Sequence, residues 1–152
     1  MPVESVVKTE VAKLPLNACP ITPTWVLEGN PVARNAVLSY SADGSASTLI
    51  WDCTAGRFKW YYDVDETIYV IEGGMTIKDG GGTRRLTAGD TIFFPKGAVA
   101  EWTVESYIRK VAFVRTPLPY PLTFAKRAIR FLKRRLGISG SKSGATVMFQ
   151  SK

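Results

Sequence analysis

From residue 37 to residue 115 apolar and polar positions alternate in short runs rich in Val, Ile, Thr, Phe, Tyr and Trp. A period of two marks strands with one face inward, and the close spacing of turn residues marks an all-β sandwich or barrel. The pattern predicts strands over 36–41, 47–52, 58–62, 67–72, 75–78, 83–86, 91–94, 100–104 and 107–115. Turn chemistry separates them at Asp43-Gly44, Ala55-Gly56, Gly73-Gly74, 79–82, Gly89-Asp90 and 95–97. No helical period competes in this region.

The flanks differ. Residues 1–33 carry prolines at 2, 15, 20, 23 and 31 and read as an N-terminal arm, either crossing to a partner subunit or wrapping its own barrel. After the barrel, 34–116, the prolines at 117, 119 and 121 form a stiff connector to a helix expected over 123–136, capped by Thr123 and stopped by Gly137. Its apolar half gathers Phe124, Ala128, Ile129, Phe131 and Leu132, and its other half is basic. Together 117–137 make a connector and amphipathic helix, and the Ser-, Gly- and Lys-rich 138–152 reads as a disordered tail.

A length of 152 residues with 45% hydrophobic content fits one globular domain. No segment reads as a secretory leader or approaches the roughly 20 apolar residues of a membrane span, so a cytoplasmic protein is expected. The net charge of +7 is lopsided: residues 1–116 hold 12 basic against 13 acidic side chains, and residues 117–152 hold 8 basic and none acidic. The basic balance therefore belongs to the tail, and no nucleic-acid partner is expected, since the body has no basic stripe. The helix over 123–136 is a candidate for peripheral membrane contact; the alternative is that its apolar stripe covers the barrel or a second subunit.

Cys19 and Cys53 form no C-x-x-C and no zinc spacing, and read as free thiols. Histidine is absent, which removes the commonest transition-metal ligand and the commonest acid–base group at neutral pH.

Two glycine-bounded segments carry a family resemblance. One runs from Gly56 through Trp60, Tyr62 and Glu66 to Gly73; the other is Gly89-x5-Pro95-x-Gly97. Together they resemble the two motifs of the cupin superfamily, and the context 51–58 is similar to the ureidoglycine aminohydrolase-type cupin domain. The resemblance implies a single double-stranded β-helix, a jelly-roll barrel open at one end, often as a homodimer. In metal-binding cupins these motifs supply three histidines and a glutamate. Here the histidine places fall on Trp60, Tyr62 and Ala100, and Glu66 alone survives. One carboxylate is too few for an octahedral or tetrahedral ion, so no metal or other cofactor is expected, with Glu66 the one residual candidate ligand.

Strand alternation places Trp60 with Tyr62 on one face, and Ala100 with Trp102 on one face of a later strand; the motif register of the resemblance implies that both faces point inward. The expected mouth is then aromatic, with Glu66 and the Tyr62 hydroxyl as polar handles, either an open small-ligand pocket or a plugged interior. A one-residue bulge would instead turn Lys59 and Tyr61 inward and pair Lys59 with Glu66. The candidate ligand-binding residues are Trp60, Tyr62, Glu66, Trp102 and, just before the first motif, Cys53. The expected function is small-molecule binding at a degenerate metal site. The alternative, implied by the resemblance, is an aminohydrolase-like enzyme on a nitrogen-containing metabolite, with Glu66 as acid or base and Tyr62 as donor.

Overall fold

A computed structural model describes residues 6–117 and 120–135. The expected tail, 138–152, lies outside them. The chain divides into two compact units, Met1–Pro117 and Leu118–Lys152.

The first unit is one antiparallel sheet rolled into two layers. Its strands are β1 (Asn17–Ala18), β2 (Val26–Gly29), β3 (Ala33–Tyr40), β4 (Ala46–Tyr61), β5 (Asp65–Asp79), β6 (Gly82–Thr87), β7 (Thr91–Phe94) and β8 (Val99–Arg115). The order is β1-β3-β4-β8-β5-β6, with β2 on β4 and β7 on β5. Three strands are long enough to serve both layers. The first half of β4 pairs with β3 and the second half of β8, while its second half pairs with β2 and the first half of β8. β5 divides in the same way, its first half beside β7 and its second beside β6.

Two expected turns therefore lie inside strands. Ala55-Gly56 is a register shift within β4, and Gly73-Gly74 one within β5. Each joins two predicted strands into one, because β8 pairs continuously along both halves and leaves no hairpin to close. A bulge adds local bend and twist, which is how a single strand passes from one layer to the other. Gly73 is required at its bend: φ is +71°, and a Cβ there would collide with the Tyr107 carbonyl.

The inner faces carry the core. Phe58, Ile68, Val70, Met75, Ile77, Trp102 and Ile108 are almost wholly buried. Each such side chain contributes about 1.5–3 kcal/mol of transfer free energy. Ile50 and Asp52 are buried on the opposite face of β4. There Asp52 accepts two hydrogen bonds from Arg34 (3.0 and 2.6 Å) and one from the Tyr107 hydroxyl (2.9 Å).

The segment before β3 runs along its own barrel: β1 pairs with β3, β2 with β4, and Arg109 donates to the Val11 carbonyl. Trp25, in a 3-10 turn begun by Pro23, packs edge-on against Trp60 at 5.5 Å.

The second unit holds one helix, α1 (Tyr120–Arg135). It begins before the expected Thr123 cap, since a proline in the first turn loses no internal hydrogen bond and Pro121 can stand there. Phe124, Ile129, Phe131 and Leu132 are exposed along it, and the Arg135 guanidinium lies over the Phe131 ring. Among the described residues no helix is long and apolar enough to cross a membrane.

Candidate functional site

The two layers enclose a cavity of about 120 Å³ near Glu66. Inward alternation along β4 presents Leu49, Trp51 and Trp60 to it; β8 presents Trp102, Lys110 and Val114. Asn35 from β3 and Cys19, just past β1, complete the wall with an amide and a thiol.

At its polar end Lys110 Nζ donates to Glu66 Oε1 at 2.6 Å. Both side chains are buried, at 7% and 11% exposure. The ammonium also lies 5.0 Å from the Trp51 ring centroid and 4.9 Å from that of Trp102, within reach of both π faces. A buried carboxylate needs a compensating charge, and this chain supplies one from its own β8.

Tyr62 stands behind this wall rather than in it. Its ring stacks on Phe94 at 4.3 Å, and its hydroxyl accepts a hydrogen bond from Trp102 Nε1 at 3.2 Å. Burial, reinforced by the charge of Glu66, pushes its phenol well above the ordinary range. Cys53 is also away from the cavity: it is fully buried in the core, and burial with the charge of Asp52 pushes its thiol up to about 12.

Of the expected ligand-binding residues, Trp60, Glu66 and Trp102 meet in one cavity. Tyr62 and Cys53 do not line it: the Tyr62 ring is stacked on Phe94, and Cys53 is fully buried in the core. The alternative register is excluded, since Lys59 and Tyr61 are exposed and Trp60 and Tyr62 face in. Asp65 accepts from the Lys96 backbone N–H and from Arg115, and Asp90 holds the Thr87 N–H, so both serve turns and rims.

Lys110 is the residue sequence reasoning missed. Its signal was available: on β8 the inward positions read Ala100, Trp102, Val104, Ile108, Lys110 and Ala112, and Lys110 is the single charge among them. Trp51, Asn35 and Cys19 were missed because each lies outside the two motifs along the sequence.

A metal ion does not fit this donor set. The places of the three family histidines hold an indole, a methyl group and a phenol whose ionisation burial opposes. The remaining carboxylate already has an ammonium at 2.6 Å, which would repel a dication. Among the described residues no three His, Cys, Asp or Glu side chains are grouped to hold an ion.

Comparison with known proteins agrees with this architecture. The first unit has the cupin fold. The matching family profile is that of the EutQ-like cupin domain, over residues 40–112. A putative ethanolamine utilization protein Q from Salmonella typhimurium is 26% identical over 55% of this chain and 69% of its own, with a TM-score of 0.50. A protein of unknown function from Pseudomonas syringae is 25% identical over 67% of this chain and 45% of its own, with a TM-score of 0.62. The cupin domain of Schizosaccharomyces pombe Cnp3, at 11% identity and a TM-score of 0.57, shares the fold over 90% of this chain and 85% of its own. None of the curated proteins compared with it matches.

Proposed function

We propose that the protein binds a small organic molecule in the barrel cavity without a metal ion. The Lys110–Glu66 pair at one end of a tryptophan-walled space carries this reading. The pair is neutral in sum, so a neutral or zwitterionic ligand enters without an uncompensated charge. Its apolar part contacts Trp51, Trp60 and Trp102; its polar group accepts from the remaining ammonium hydrogens of Lys110 or donates to Glu66.

Binding is favoured over the aminohydrolase reading because of where the expected catalytic groups stand. Tyr62, the expected donor, lies outside the cavity wall, which leaves Glu66 without the second group that reading needs. The homodimer expected from the sequence is part of the proposal, supported by Tyr69, Phe93 and Phe113 exposed on the outer face of β5, β7 and β8. Sedimentation equilibrium is expected to return twice the chain mass.

The test is a panel of small neutral and zwitterionic metabolites, followed by melting temperature and tryptophan fluorescence. Ethanolamine joins the panel because of the Salmonella relative's name. A ligand is expected to raise the melting temperature and shift emission, and Trp60→Ala to weaken both. No response from any compound would refute the proposal. A chelator is expected to leave the melting curve unchanged, and a fall on chelation would refute metal independence.

A further inference from the structure

Lys110 is a primary amine on the wall of a largely apolar, partly open cavity, with a carboxylate in hydrogen-bond contact. A desolvated amine with a proton acceptor in contact offers the two groups that carbonyl capture through a Schiff base uses. We infer that Lys110 condenses with a small aldehyde or ketone to form an imine, with Glu66 carrying the proton. This rests on the small-ligand reading above and names its substrate class.

The proton lies on a 2.6 Å bond between Lys110 Nζ and Glu66 Oε1. Transfer of that proton along the contact to Glu66 gives the neutral amine and the neutral acid. In the neutral form the nitrogen lone pair attacks the carbonyl carbon. The π electrons of C=O move to oxygen, which takes a proton from the attacking nitrogen to give the carbinolamine. Glu66 then returns its proton to that hydroxyl, which leaves as water while the nitrogen lone pair forms C=N. The sum is carbonyl plus ammonium giving protonated imine plus water. Charge is unchanged and no oxidant or reductant takes part.

Three features of the cavity serve this step. Its volume of about 120 Å³ suits a molecule of a few heavy atoms. The apolar walls favour dehydration of the carbinolamine, since they hold little water to reverse it. The Trp51 and Trp102 faces that lie about the ammonium also face the iminium that replaces it, so the positive charge stays where the rings stabilise it. The other lysines described as exposed, such as Lys59, Lys78 and Lys96, have no such setting.

The experiment is reductive trapping of the full chain with propanal and sodium cyanoborohydride, followed by peptide mapping over time. Tryptophan fluorescence with propanal alone reports occupancy. Lys110 is expected to gain its propyl group at least about tenfold faster than Lys59, a difference of about 1.4 kcal/mol in barrier. Glu66→Gln is expected to slow labelling at Lys110 about tenfold while leaving Lys59 unchanged. A fluorescence response with labelling at Lys110 no faster than at Lys59 overturns the imine and leaves the binding reading in place. Silence in both measurements overturns the imine; silence across the whole metabolite panel overturns the binding reading itself. Trapping on the wild-type chain decides the question even if a variant fails to fold.

Discussion

Replacing Lys110 by Met removes the ammonium while keeping most of the aliphatic stem, so the change isolates charge. Glu66, 11% exposed, would then be a buried carboxylate with its ion-pair partner gone. Breaking a buried pair in this way costs about 3–5 kcal/mol, and the lost contact with two indole faces adds about 1 kcal/mol. A loss of about 5 kcal/mol is expected, which lowers the melting temperature by about 15 °C in a domain of this size. The double variant Glu66→Leu/Lys110→Met leaves no charge behind and is expected within about 1 kcal/mol of the parent. Urea unfolding at pH 7, followed by tryptophan emission and circular dichroism, measures all corners of the cycle. A Lys110→Met protein within about 0.5 kcal/mol of the parent would refute the reasoning, because a buried, coupled pair cannot lose one member so cheaply.

Other consequences are as direct. Gly73→Ala forces both a positive φ and a collision with the Tyr107 carbonyl, and is expected to cost more than about 3 kcal/mol in urea unfolding. Gly44→Ala, also at positive φ but with open space around it, is expected to cost only the backbone strain of about 1–2 kcal/mol. In native protein a thiol reagent is expected to modify Cys19, which lines the cavity, and to reach Cys53 only on unfolding; simultaneous modification would contradict the described burial. Alkaline stability follows from two raised pKa values: Cys53 moves from 9.0 to about 12, and Tyr62 rises above 10.0. Their contribution is intact below pH 9 and is lost as pH rises, because the unfolded chain releases those protons first. The expected slope is about 1.4 kcal/mol per pH unit for each group. Cys53→Ala is expected to flatten the part of the curve nearest pH 9.

How much of this was legible along the chain depends on the range of the interaction. Which side chains share a face is a local property of a pleated strand, so Trp60 could be grouped with Tyr62, and Ala100 with Trp102, from alternation, while their inward direction came from the motif resemblance. The missing histidines and the surviving Glu66 are likewise visible in the order of residues. Strand continuity was not. Gly56 and Gly73 look like turns until β8 is known to pair across both, and a glycine that bends a strand has the same local preferences as one that ends it.

The sequence by itself determined an all-β barrel, which side chains share a face and the loss of a metal-ligand set, because these follow from side-chain type and a period of two. Only the tertiary structure decided what balances Glu66. Lys59 is seven residues from it and points outward; Lys110 is distant in the chain and meets it at 2.6 Å. That meeting depends on the register between β5 and β8, which is set by the packing of both layers at once. The same long-range packing places Phe94 against Tyr62 and so takes the phenol out of the cavity.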